Sequence, residues 1–229
     1  MLQLYFHPSP NPLKVALFLE EAGLPYEVVA VDTRKGEQHS PAFRAINPNA
    51  KTPALVDGDV KVFDSNAILL YLAEKTGQFW PPASDHAARA QMYSWLMFVA
   101  TGIGPYCGQA VHFKLFAPEP KAYALNRYTF EAERHWKLVD EHLAGRTWML
   151  GDAYGLVDMA VWGWARMIPR AMGDEAWAML PHVKRHLDAI NARPAAQRAE
   201  ALKDRFAFKQ DFDDEARRAL FPQNARLGS

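Results

Sequence analysis

A hydroxyl and an amide side chain, Ser9 and Asn11, lie in a proline-rich turn between a strand-like run and a helix-like run, FHPSPNPLKVALFLEE. The start of a helix offers backbone N–H groups and positive partial charge, so a thiolate is stabilised there. A redox enzyme would place Cys-x-x-Cys at this turn, but the only cysteine is the distant Cys107. Because a hydroxyl and an amide can donate hydrogen bonds but not electrons, we expect the sulfur to arrive with a ligand.

A second helix start carries a complementary pair, Asp64 and Ser65. The N–H groups of such a start suit a carboxylate, and the aspartate could hold an ammonium beside it. Gln38 and Lys51, in nearby loops, could reach a further carboxylate. The two helix starts together fit a molecule with an α-amino-acid end and a thiol in its middle.

Each of these residues also has a structural interpretation. Asn, Asp and Ser are favoured helix caps, and Asn11 is expected at the N-cap of the first helix. Polar loop side chains such as Gln38 and Lys51 are solvated by default. The two helix starts fit different parts of one ligand, and this agreement favours a role in ligand binding over a purely structural one.

Composition excludes several classes of protein. The 229 residues contain 26 Lys plus Arg and 26 Asp plus Glu, so net charge does not point to nucleic acid or an anionic membrane. No run approaches the ~20 apolar residues of a membrane span, and no signal peptide is expected. A single cysteine allows no internal disulfide, and we expect a cytoplasmic protein.

The elements that would position these residues follow from apolar periodicity. Strands are predicted over 2–6 and 26–32, with a helix between them that ends at Gly23. TPALVDGDVKVF predicts a hairpin turning at Asp-Gly, and DSNAILLYLAEKTG predicts a helix. The order is therefore βαβ followed by ββα, with the first two strands parallel.

Strand patterns stop at FWPPASD, residues 79–85, which we interpret as a linker. Residues 1–78 then form a small α/β domain and residues 86–229 an all-helical one. A long helix is expected to end near Gly102 and Gly104, and another at Gly145. The last twenty residues show no clear periodicity.

Longer motifs carry a family resemblance: NPNAKTPALVDGDVKVFDSNAILLYLAEKTG, GDAYGLVDMAVW and ARP. In these the chain resembles a cytosolic glutathione transferase, which implies a thioredoxin-like N-terminal domain and an all-α helical-bundle domain. SPN, GEQHSPAF and GQAVHF resemble most closely the bacterial Nu-class branch. Its members are active as glutathione-dependent disulfide-bond reductases and peroxidases, often with weak conjugating activity.

The resemblance implies that the ligand is glutathione or its disulfide and that the protein is a homodimer. By the same resemblance, Thr52 pairs its backbone with the cysteinyl part of glutathione ahead of a cis Pro53, and Arg127 reaches glutathione across the dimer interface. The family usually has Ser or Thr where this chain has Gly155, three residues before Asp158.

Several residues outside this set have other candidate roles. Tyr5 is the alternative hydrogen-bond donor to the thiol, because other glutathione transferase classes use a tyrosine of the first strand. A core role is favoured for it here. Cys107 is expected to be a buried apolar residue. His182 and His186 share a helix face, yet no third ligand accompanies them and no metal is expected. An acceptor pocket could be lined by residues that equally suit a helical core: Tyr106, Gln109, His112, Phe113 and Trp164.

We therefore predict an enzyme that makes the thiolate of bound glutathione its nucleophile, with reduction of a small disulfide as the expected reaction. Conjugation to electrophiles and peroxidase activity are the alternatives within the same chemistry. A non-catalytic glutathione-binding regulatory protein is the alternative of another class. The sequence does not name the second substrate.

Overall fold

The computed structural model describes residues 1–228 and contains the predicted α/β arrangement. Its elements are β1 (Leu2–Phe6), α1 (Pro10–Ala22), β2 (Tyr26–Ala30), α2 (Pro41–Arg44), β3 (Ala54–Asp57), β4 (Val60–Phe63) and α3 (Ser65–Thr76). The strands form one sheet in the order β2-β1-β3-β4. β1 is parallel to β2 and antiparallel to β3, and β3 pairs antiparallel with β4. The predicted βαβ-ββα order and parallel first pair are confirmed.

Helix α1 begins two residues earlier than the sequence suggests. Pro10 and Pro12 both lie in its first turn, where the N–H that proline lacks has no helical acceptor. Ser9 is consequently the N-cap, and the prediction that Asn11 occupies that position is wrong. The helix ends at Gly23, whose φ of 64° is the left-handed conformation typical of a C-terminal glycine.

The next part of the chain is helical, as predicted. Its helices are α4 (His86–Phe98), α5 (Gly104–Leu115), α6 (Ala122–Leu143), α7 (Leu156–Ala165), α8 (Ile168–Met172) and α9 (Pro181–Asn191). One π-helical turn, Val99–Ile103, joins α4 to α5, so the stop predicted near Gly102 and Gly104 is wrong. A Cβ on Gly102 would lie 2.4 Å from the His135 ring, and one on Gly104 would lie 3.3 Å from the Trp164 ring. Both glycines therefore allow close packing and do not end the helix.

The C-terminal part of the chain contains α10 (Pro194–Ala201) and α11 (Asp214–Leu220). By compactness the described residues divide into residues 73–194 and a second unit that contains residues 1–72 and 195–228. That last segment is predicted from the sequence as part of the helical domain, and the division into domains at residues 79–85 stays a prediction. None of the helices within residues 1–228 has the length and apolar character needed to cross a bilayer.

Candidate functional site

Ser9 lies at the start of α1 with its hydroxyl weakly engaged. Its backbone is extended (φ −140°, ψ 165°), and its side chain does not cap the helix. The hydroxyl donates to the His7 carbonyl at 3.5 Å, the outer limit of a hydrogen bond, whereas the Ser9 N–H donates to the same oxygen at 2.7 Å. The backbone bond holds the turn, so the hydroxyl can rotate toward a ligand at little cost.

Asp64 and Ser65 form the start of α3. The Asp64 carboxylate accepts from the N–H groups of Asn66 at 2.8 Å and Ala67 at 3.2 Å, both through Oδ1, so Asp64 is the helix cap. Its φ of 67° is left-handed, a conformation that Asp tolerates better than most residues. Ser65 is buried and Asp64 is exposed. Its second carboxylate oxygen, which accepts no hydrogen bond within residues 1–228, is suited to an ammonium.

A buried lysine connects these two helix starts. Lys14 of α1 is 1% exposed, and its Nζ donates to Oδ1 of Asn66 at 2.8 Å. The beginning of α1, with Ser9 and Asn11, is thereby held against the beginning of α3. Burial lowers the pKa of Lys14 to about 7, against a smaller raising effect of Asp64. Sequence reasoning missed Lys14, because a lysine in an amphipathic helix is ordinarily placed on the exposed face.

The loop before β3 contains the predicted cis peptide bond. Thr52–Pro53 is cis, as the resemblance implied. The loop is shaped by Asn47, a buried residue that the sequence analysis did not consider. Its amide donates to the Lys51 carbonyl at 2.5 Å and its oxygen accepts from the Asn49 N–H at 2.9 Å. Lys51 itself is exposed.

Gln38 differs from the expectation of a solvated loop residue, since it is 4% exposed. Its amide nitrogen donates to the carbonyls of Thr33 and Ala219, each at 3.2 Å. Its oxygen is buried and has no hydrogen-bond partner within the described residues. His39 Nε2 lies 2.9 Å from the same Ala219 carbonyl. One hydrogen bond of Gln38 is thus made to the C-terminal segment, and the sequence did not indicate this contact.

Further contacts hold that segment to the Gln38 loop. We call residues 206–220 the C-terminal arm. The Asp32 carboxylate accepts from the N–H groups of Arg34 at 3.1 Å and Lys209 at 2.7 Å. The Arg34 guanidinium donates to the Lys209 carbonyl at 3.2 Å and also to that of Gln210. The arm is therefore bonded to the loop through both a backbone N–H and backbone carbonyls.

Tyr5 and His7 have different environments at the carboxyl end of β1. Tyr5 packs against Phe43, with ring centroids 5.7 Å apart, in a cluster with Val31 and Ala54. This packing agrees with the favoured core role. His7 contacts Phe208 of the arm edge-on at 5.1 Å. Burial lowers the pKa of His7, although Asp32 opposes the shift, so the imidazole is neutral at neutral pH.

Arg127 lies on α6 and forms an ion pair with Glu131 at 2.7 Å. Arg134 contacts the same carboxylate at 2.9 Å. Burial acts to raise the pKa of Glu131, but the two guanidiniums, Arg134 foremost, hold that pKa below its ordinary value. The Arg127 side chain is 52% exposed, and its reach to a second subunit stays a prediction.

The five residues predicted to line an acceptor pocket have different neighbours in the structure. Tyr106 and Phe113 of α5 both approach the Tyr128 ring of α6, with centroids 6.4 and 5.4 Å away. Trp164 instead packs against Gly104 and Gly108 of α5. Gln109 is exposed and His112 is half-buried, with its pKa lowered by burial. Packing between helices accounts for the aromatic members, so an acceptor role for the set stays a prediction.

Cys107 is a buried thiol inside α5. The Trp136 indole N–H donates to its Sγ at 3.1 Å, and burial raises the pKa of the thiol to about 12. A thiol that stays protonated is a poor nucleophile, in agreement with the apolar role expected for it.

The two histidines of α9 have different hydrogen bonds. The His186 imidazole lies 2.8 Å from the buried Asp158 carboxylate, and the His182 backbone N–H donates to the Asp140 carboxylate at 2.7 Å. Across residues 1–228, no three His, Cys, Asp or Glu side chains are grouped so as to hold a metal ion.

Comparisons with known proteins agree with this geometry. Residues 1–74 match the glutathione S-transferase N-terminal domain and residues 97–194 the glutathione S-transferase C-terminal domain. The disulfide-bond oxidoreductase YfcG of Escherichia coli K12 is 41% identical over 206 residues, covering 87% of this chain and 94% of that protein.

Solved structures give the same result. A glutathione transferase from Burkholderia graminis, with two glutathione molecules bound per subunit, has a TM-score of 0.83 and 40% identity, covering 90% of this chain and 89% of that one. One from Pseudomonas putida, with one glutathione disulfide per subunit, has a TM-score of 0.79 and 38% identity, covering 87% and 90%. The chain therefore belongs to the glutathione S-transferase family.

Proposed function

We propose that the protein binds glutathione at the starts of α1 and α3 and uses its thiolate to reduce disulfides. The observation that carries the proposal is the 2.8 Å Lys14–Asn66 hydrogen bond, which places the two helix starts side by side. One start offers the Ser9 hydroxyl and Asn11 amide, and the other offers Asp64 and Ser65. Relatives named as a disulfide-bond oxidoreductase and as transferases with bound glutathione support the same assignment.

Each proposed binding residue has a distinct task. Ser9 and Asn11 donate hydrogen bonds to the sulfur, and the N-terminus of α1 favours its negative charge. Ser65 holds the α-carboxylate through its hydroxyl and its backbone N–H, since the next two N–H groups of α3 donate to Asp64, and the second oxygen of Asp64 holds the neighbouring ammonium. Thr52, ahead of Pro53, pairs its backbone with the cysteinyl unit. Gln38 and Lys51 face the distal carboxylate.

The reaction is thiol–disulfide exchange in two steps. The glutathione thiolate attacks one sulfur of the substrate, forms a mixed disulfide and expels the other sulfur as a thiolate. A second glutathione thiolate then attacks the glutathione sulfur of the mixed disulfide, releasing the remaining substrate thiolate and glutathione disulfide. Two electrons pass from two glutathione molecules to the substrate, and the expelled thiolates take their protons from water.

Three finer assignments belong to the same proposal. The protein acts in the cytoplasm, where glutathione is kept reduced. It is a homodimer in which the exposed Arg127 of one subunit reaches the ligand of the other. Tyr106, Gln109, His112, Phe113 and Trp164 are proposed for the second substrate, as residues of the helical unit.

The test is reduction of hydroxyethyl disulfide by glutathione, followed through a coupled glutathione reductase. We expect turnover by the wild-type protein and a loss of about 100-fold or more in kcat/KM for the Ser9→Ala, Asn11→Ala double variant, since both thiolate donors are removed. Ser94→Ala, which removes an exposed helix hydroxyl, is the matched control.

Two results would contradict the proposal in different ways. Glutathione binding without disulfide reduction would favour conjugation, peroxidase activity or a non-catalytic binding role. An unchanged rate in the double variant would remove Ser9 and Asn11 from the chemistry.

A further inference from the structure

Lys14 is a buried charge that the proposed thiolate chemistry does not use. It lies three residues after Asn11 in α1, so the two side chains share a helix face. Its ammonium ends beside Asn66, the residue after Ser65. One cation thus lies next to both of the helix starts that are proposed to receive negative groups.

The positive charge of this ammonium is not neutralised by an ion pair within the described residues. Its hydrogen-bond partner within the described residues is a neutral amide, the Asn66 side chain. Asp64, at the start of α3, is the charged side chain that acts on the pKa of Lys14, and it acts less strongly than burial does. Its carboxylate already accepts two backbone N–H groups. Burying an ammonium without an ion pair is costly, so a ligand anion bound nearby would strongly stabilise the charged form of Lys14.

We infer that Lys14 is a positioning residue of the glutathione site, a buried cation that draws the anionic ligand to both helix starts and holds Ser65 in place through Asn66. The inference rests on the proposed function and adds a residue to it. Lys14 acts on the ligand through its field and through Asn66, since it is itself 1% exposed.

The position of Lys14 leads to a measurable exchange of protons. Burial leaves the pKa of Lys14 near neutrality in the free protein, at about 7. An anion bound nearby favours the charged form, so binding raises this pKa, and above pH 7 the protein takes up protons as the ligand binds. A thiol would release a proton on binding and obscure this effect, so the probe must lack one.

The experiment is titration calorimetry with S-methylglutathione, in which the thiol is blocked, in two buffers of different ionisation enthalpy. The pH is set just above 7, where Lys14 titrates and the ligand's amine is still protonated. For the wild type we expect uptake of a fraction of a proton. Lys14→Met keeps the apolar stem without the charge, and we expect no uptake and about tenfold weaker binding. Lys61→Met, at an exposed lysine of β4, is the matched control and should behave as the wild type.

Asn66→Asp tests the charge without removing the lysine. The new carboxylate would pair with the ammonium and hold it protonated at all the pH values used, so proton uptake should disappear and binding should weaken by a similar factor. This variant also decides the matter if Lys14→Met does not fold.

The outcomes separate the inference from the proposed function. Wild-type binding together with unchanged affinity and proton uptake in Lys14→Met, or in Asn66→Asp where the former does not fold, overturns the role of Lys14 and leaves the proposed function intact. No binding by the wild type overturns the proposed function and the inference together. A parallel loss of thermal stability and affinity in both variants, with proton uptake unchanged, assigns Lys14 a structural role only and also overturns the inference.

Discussion

The two ends of the proposed glutathione site are built in different ways. At the α1 and α3 end, each helix start is organised by its own neighbours: prolines in the first turn of α1 and the Asp64 carboxylate on the N–H groups two and three residues ahead. At the Gln38 end, the loop is held by the C-terminal arm, with Asp32 bound to a residue 177 positions later. At the first end each helix start is organised locally and one bond, Lys14–Asn66, joins the two. The second end depends on contacts with the C-terminal arm.

This difference predicts that the α1 and α3 end carries most of the binding free energy and tolerates loss of the arm. Its polar groups are preorganised by helix geometry, whereas the Gln38 amide donates to Ala219 and must exchange that carbonyl for a ligand carboxylate. Three substitutions test the comparison, in decreasing order of their expected effect on glutathione affinity.

Asp64→Asn should have the largest effect, weakening glutathione binding about 10- to 150-fold in titration calorimetry. The amide removes the charge facing the ligand ammonium, and losing a charged hydrogen bond costs about 1.5–3 kcal/mol. Asparagine still caps a helix and accepts the left-handed φ of 67°, so the thermal stability should change little.

Asp59→Asn, in the β3–β4 turn, is the matched control, because it removes an exposed carboxylate without a cap role. If Asp64→Asn binds glutathione like this control, the ammonium is held elsewhere and the first end of the site is wrongly assigned.

The same two ends show how far the sequence could predict the structure. The strands, the hairpin and α3 are predicted by nearby residues, and the cis Thr52–Pro53 bond is implied by the family resemblance. The sequence leaves the cap of α3 open between Asp64 and Ser65, and in the structure it is Asp64. The arm was not expected, since Asp32 and Lys209 have no pattern that would pair them. Burial of Lys14 and Gln38 was missed for the same reason: a polar residue is placed inside only when its distant partner is known.

The departure from the family pattern at Gly155 has its cause in another part of the chain that approaches closely. Gly155, where the family usually has Ser or Thr, lies under the linker: a Cβ there would be 2.9 Å from the Phe79 carbonyl. That carbonyl accepts from the Leu156 N–H at 2.8 Å, and Asp158 accepts from the Gly155 N–H at 2.9 Å. The start of α7 is thus satisfied without a capping side chain, and glycine provides the space. A cap preference that considers one helix alone cannot include this contact.

Phe208→Ala should have an intermediate effect on affinity and a large one on stability. Phe208 is 7% exposed and packs on Phe6 and His7, so its removal should lower the free energy of unfolding by about 3–5 kcal/mol. With the arm loosened, the Gln38 loop loses its support, and we expect glutathione to bind about fivefold more weakly.

A second measurement on Phe208→Ala follows from His7. Burial lowers its pKa in the folded protein, so the unfolded chain binds more protons as pH falls through the ordinary value near 6.5, and wild-type stability decreases there. Opening the Phe208 contact should return the His7 pKa, followed by nuclear magnetic resonance, toward that ordinary value. Phe212→Ala removes an arm ring that pairs with Phe221 and should leave His7 unchanged. An unchanged His7 pKa in Phe208→Ala would mean that the arm does not cover this turn.

Gln38→Leu should have the smallest effect on glutathione itself, about threefold, because the amide gives up its bond to Ala219 in order to bind the ligand and the net gain is small. The sharper measurement compares glutathione with γ-glutamylcysteine, which lacks the distal glycine and its carboxylate. The wild type should bind glutathione more tightly, whereas Gln38→Leu should bind the two ligands alike. Gln78→Leu, at an exposed glutamine, is the matched control and should keep the preference. A Gln38→Leu variant that still distinguishes the two ligands would show that the arm, rather than the ligand, is the lasting partner of Gln38, and only the α1 and α3 end of the site would then stand.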